Sequence, residues 1–178
     1  MQQLETDELL HMALFASQQG RADDSIAPLR TLLEKDPGST EAHFLIAANY
    51  AELGLLDRAV THYEKTIELA PDMDIARIQF GLLLIAMDRT DEAKVVLLPI
   101  SGLNRELFLD DFADGLLALI ADDQEAAADC MHKGIARNTE NAALNDDFNK
   151  ILAILQQESS GDERSTNEYL LSTYGQKH

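Results

Sequence analysis

Basic residues are scarce in this chain: 14 lysines and arginines stand against 32 aspartates and glutamates, a net charge of −18 over 178 residues. Nucleic acid and anionic membrane both call for a basic stripe, so neither is an expected partner. Acidity of this size keeps a surface solvated and also steers basic partners toward it. Cysteine is nearly absent. Cys130 has no second thiol to pair with, which fits a reducing compartment. Strand signals are missing, since no hairpin dipeptide lies between alternating runs. No apolar run approaches the roughly 18 residues of a membrane span, and the longest centres on Ile85. The opening MQQLETDELL has neither a positive n-region nor an apolar h-region, so no secretory signal is visible and a cytoplasmic location is expected.

Recognisable chemistry is equally thin. The histidines at positions 11, 43, 62, 132 and 178 show no zinc-type spacing and no paired cysteines, and no HExxH is present. His43 reads as a helix-packing residue and the other four as surface residues. Asp110-Asp111-x-x-Asp114-Gly115 faintly resembles a calcium loop, but the alternation of oxygen ligands and the closing glutamate are absent. Without strands there is no Gly-rich phosphate loop after a strand. The expectation is no catalytic residue, no metal and no cofactor, hence no enzyme.

What the chain does have is a period. Ala13, Ala47, Gly81 and Gly115 recur at steps of 34 residues. Twelve positions later the small column Ser25, Ala59, Ala93 and Ala127 keeps the step. Four residues further comes a bulky column, Leu29, Tyr63, Leu97 and Met131. A turn column adds Gly20, Gly54, Asp88 and Asp122. Small residues let two helices cross closely and the bulky column fills the space beside them. The turn column tolerates positive φ, glycine freely and aspartate less so. Pro37 and Pro71 stop a helix at one step of the period.

The best copy reads His43-x-x-Ile46-Ala47-x-x-Tyr50, then Gly54, Ala59-x-x-x-Tyr63 and Pro71. This pattern closely resembles the tetratricopeptide repeat, a helix–turn–helix unit. Repeat 1 has Ala16 and Ser25 where an aromatic and alanine are usual, and repeat 3 has Arg105 in place of the terminal proline. Repeat 4 is the weakest copy, with Asp111 and Asp114 in slots that are normally apolar. The resemblance implies an all-α, right-handed α-solenoid of about four repeats, at 6–39, 40–73, 74–107 and 108–140, within 6–140.

Helices are expected over 7–19, capped by Thr6, and over 24–35, 40–53, 57–69, 74–87, 105–121 and 124–137. Another starts at Thr90 and breaks or kinks at Pro99, while Pro28 should tighten or bend the helix that holds it. Ala143, Leu144, Phe148, Ile151, Leu152 and Leu155 recur at helical spacing, so 141–158 reads as a capping helix. Residues 159–178 form a polar linker and a short apolar tail helix, in which Tyr169, Leu170 and Tyr174 would dock on this molecule or another copy.

The resemblance also implies that the first helix of each repeat lines a concave groove. One-turn spacing then selects Leu10, Leu14 and Ser17, followed by Phe44, Ala48 and Ala51. The next sets are Ile78, Leu82 and Ile85, then Phe112, Leu116 and Leu119. None is basic, so an acidic chaperone tail is a poor ligand, and an apolar or amphipathic protein segment suits the wall better. The first reading is a non-enzymatic scaffold or adaptor. The alternatives are a small acidic chaperone resembling those of type III secretion, and self-assembly through the tail into a homo-oligomer.

Overall fold

A computed structural model describes residues 2–102, 107–158 and 170–172. These residues fall into two compact units, 2–76 with 172, and the described part of 77–171. No strand occurs among the described residues.

In the first unit α1 (Gln2–Gln18) pairs with α2 (Ala22–Lys35), and α3 (Thr40–Glu52) pairs with α4 (Leu56–Leu69). Helix α2 also packs on α3, and α1 touches α3. The second unit holds most of α5 (Asp74–Ala86), then α6 (Thr90–Leu97), α7 (Phe108–Ile120), α8 (Gln124–Arg137) and α9 (Ala142–Glu158). There α7 packs on α6 and α8, and α9 packs on α8.

The 34-residue period is written into the backbone. Gly20, Gly54, Asp88 and Asp122 all have positive φ, at 68, 72, 59 and 62°. Behind each, the next amide donates five residues back: Arg21 to Ala16, Leu55 to Tyr50, Arg89 to Leu84 and Asp123 to Ala118, at 2.8–3.0 Å. The positive-φ amide itself donates three residues back, to Ser17, Ala51, Ile85 and Leu119. Both bonds together make the Schellman helix end, which satisfies carbonyls that would otherwise be orphaned. Aspartate accepts this conformation twice, so the degenerate third and fourth copies keep the same turn as the first two.

The small and bulky columns meet as their chemistry demands. A Cβ on Gly81 would lie 2.7 Å from Leu97, and one on Gly115 would lie 3.0 Å from Met131. In the first unit Ala13, Leu29, Ala47 and Tyr63 are all buried. Helix pairs here close to the limit that a hydrogen or a methyl group allows.

Several boundaries differ from the sequence expectation. Helix α1 begins at Gln2, so Thr6 lies inside it rather than capping it. Pro28 sits within α2 without ending it. Helix α6 stops at Leu97, just before the Pro99 break, and turns through Leu98–Gly102. Helix α7 starts at Phe108, and residues 103–106 lie outside the described residues.

The two aspartates in normally apolar slots of the fourth copy have acquired partners. Asp114 accepts from Ser101 Oγ at 2.6 Å and from the Gly102 amide at 3.1 Å, which closes the turn after Pro99. Asp111 pairs with Arg137 of α8 at 2.8 Å.

Candidate functional site

The residues expected to line the groove fall into two sets. Leu10, Leu14 and Ser17 on α1, with Phe44 and Ala48 on α3, are half-buried, so part of each side chain meets solvent. All five belong to the first unit. Leu119 on α7 is half-buried as well. By contrast Ile78, Leu82, Ile85, Phe112 and Leu116 are at most 4% exposed, and Ala51 is buried. Their expectation as an open wall fails for a packing reason that is plainest at Phe112. Its ring stacks on Phe148 of α9 at 3.8 Å, with the planes 3° apart, and also fills the place where Gly134 of α8 lacks a side chain. Aromatic faces sealed in this way are core, and they present nothing to a ligand. Among the tail residues, Leu170 is buried and Leu171 is exposed, whereas Tyr169 and Tyr174 lie outside the described residues.

A second concavity was not expected. Helices α2 and α4 flank a cleft floored by α3. One lobe, about 450 Å³, is lined by Leu33, Pro37, His43, Thr61, His62, Glu64, Lys65 and Glu68. A smaller lobe of about 290 Å³ shares Leu33 and His62 and adds Arg30, Glu34, Ile46 and Tyr50.

At its floor two imidazoles meet, with Nδ1 of His43 3.0 Å from Nδ1 of His62. The other nitrogen of His43, Nε2, is 3.1 Å from the Pro37 carbonyl oxygen. A carbonyl only accepts, so Nε2 of His43 carries the hydrogen and its Nδ1 is the acceptor. His62 therefore donates through Nδ1, and its Nε2 is left with a lone pair. Burial, and next the charge His43 would bring, push the His62 pKa down to about 4. The His62 ring is neutral near pH 7. Sequence reading took His43 for a packing residue and His62 for a surface one. The 19-residue separation that brings them together joins two helices of one repeat.

Among the described residues no group of three or more His, Cys, Asp or Glu side chains is arranged to hold a metal. Cys130 is half-buried, and burial raises its thiol above the ordinary range, so it is not a poised nucleophile. No described helix is long and apolar enough to cross a membrane.

Residues 40–73 match the tetratricopeptide repeat family model, and that span is one full period bounded by the Ser39 cap of α3 and the start of α5. The chain carries a tetratricopeptide repeat. No curated protein matches the sequence.

Among solved structures, MamA from Desulfovibrio magneticus RS-1, residues 41 to the end, is 15% identical with a TM-score of 0.63, covering 95% of this chain and 90% of that one. A MamA RS-1 ArsTM double mutant gives 16% identity and 0.62, with 95% and 92% covered. PilF of Pseudomonas aeruginosa gives 19% identity and a TM-score of 0.67, with 99% and 78% covered. At such identities these neighbours show a shared fold. Tetratricopeptide folds serve in general as protein–protein interaction scaffolds, so this chain has the architecture of one.

Proposed function

We propose that the chain is a non-enzymatic adaptor that binds an apolar or amphipathic segment of a protein partner along the α1/α3 face of its first unit. The reading divides the chain into repeats at 6–39, 40–73, 74–107 and 108–140, a capping helix at 141–158 and a tail at 159–178. The single observation that carries it is the contrast between equivalent positions. Leu10, Leu14 and Phe44 keep exposed surface, while Ile78, Leu82, Phe112 and Leu116 have none to offer. Apolar side chains left half in water gain from being covered, at about 25 cal/mol per Å² before ordering costs are subtracted.

The test is affinity capture from native lysate with mass spectrometry, comparing the intact chain with a Leu10→Glu/Leu14→Glu variant whose helicity is checked by circular dichroism. A protein captured by the intact chain and lost from the folded variant supports the assignment. Identical captures overturn it. The substitutions stay on α1 because Phe44 also packs edge-on against Tyr63, with ring centroids 6.3 Å apart, so changing it would disturb the helix pair.

A further inference from the structure

The cleft between α2 and α4 carries a recognition chemistry of its own, on residues separate from the α1/α3 face. Its floor is a relay with a fixed direction. The Pro37 carbonyl accepts from His43, and His43 accepts from His62. That relay leaves the Nε2 lone pair of His62 without a protein donor among the described residues. A neutral nitrogen at the base of a cleft can only accept, so what it recognises is a donor.

The walls narrow the choice. Leu33 and Pro37 supply apolar surface, and Glu64 and Glu68 stand on the α4 rim. Lys65 already pairs with Glu68 at 3.0 Å. Glu64 has no hydrogen-bond or ion-pair partner among the described residues. The requirement is an apolar stem ending in a cationic group with several donors. Arginine meets it better than lysine. Its planar fork can donate to a carboxylate and a ring nitrogen together, and it sheds water more readily than an ammonium does. The net charge of −18 favours the approach of a basic partner.

We propose that this cleft is a docking site for an arginine side chain of a protein partner, its methylenes against Leu33 and Pro37 and its guanidinium shared between Glu64 and Nε2 of His62. A cleft of about 450 Å³ leaves room for the backbone on either side of that arginine.

The experiment titrates the full chain with a short alanine-flanked arginine peptide and with its citrulline counterpart, which keeps the shape and loses the charge. Imidazole ¹H–¹⁵N spectra follow His43 and His62. The expected result is at least tenfold tighter binding of the arginine peptide, with shifts at both histidines. Glu64→Gln, on the exposed rim, should weaken it several-fold, and Leu10→Glu/Leu14→Glu should leave it unchanged. Equal affinities for the two peptides, or no binding at millimolar peptide, would overturn the proposal. So would binding that shifts neither histidine, and if Leu10→Glu/Leu14→Glu abolished that binding the groove reading would gain support. The Glu64→Gln and Leu10→Glu/Leu14→Glu arms therefore separate failure of the cleft from failure of the groove.

Discussion

Two contacts, a buried one at Gly134 and a half-buried one at His62, make the chemistry of single side chains measurable. A Cβ on Gly134 would stand 2.5 Å from the Phe112 ring, and that ring is held by its stack on Phe148. Replacing a helical glycine with alanine normally gains up to about 1 kcal/mol of helix propensity. Here the ring has nowhere to retreat, so overpacking wins. Gly134→Ala should destabilise by about 1–2 kcal/mol in urea denaturation, and an unchanged midpoint would refute the contact. For His62 the folded pKa of about 4 lies below the ordinary imidazole value of 6.5. Between those values the unfolded chain takes a proton that the folded chain refuses. Stability contributed by the neutral ring is complete above pH 6.5 and falls as the pH drops toward 4. Urea midpoints at pH 7 and pH 5 should differ more for the intact protein than for His62→Gln. Neither contact was legible in the sequence, because a packing position gives no side-chain direction, and direction decides that His43 faces His62.

Helices and turns were the most legible scale. The turn column foresaw four positive-φ ends, and all four occur with the same pair of hydrogen bonds. Asp122 bears a strain that glycine would not, since an L residue in this region costs on the order of 1 kcal/mol and aspartate somewhat less. Asp122→Gly should therefore raise stability by about 0.5–1 kcal/mol and lift the melting temperature; a fall would mean that the aspartate side chain serves the turn. Pro99 foresaw the end of α6, but nothing in the sequence indicated what closes the turn behind it. Asp114, from the next helix, supplies two hydrogen bonds there. Asp114→Ala should cost about 1–2 kcal/mol and speed amide exchange at Ser101 and Gly102 more than elsewhere. Uniform acceleration would argue against a local role. Thr6 misled because a good capping residue signals a start only when the helix does not already extend past it. In α1 the helix runs back to Gln2.

At the scale of the molecule, each compact unit should respond as its own cooperative block, since helical repeats are stabilised mainly by neighbours. Leu29, fully buried in the first unit, offers the probe. Leu29→Ala should cost about 2–5 kcal/mol and lower exchange protection in α1–α4 much more than in α7–α9. Equal loss throughout would show one block. The sequence by itself determined the period, the helix pairs, the turn conformations and the acid excess, because each depends on local propensity or on spacing along the chain. Only the tertiary structure decided which apolar residues remain available. Leu82 and Leu14 occupy matching register positions, yet one is sealed and the other half-open. It likewise decided that two histidines 19 residues apart come within 3.0 Å of each other and line one cleft. Burial and hydrogen-bond direction arise from what packs against a residue, and that is not encoded in its place along the repeat.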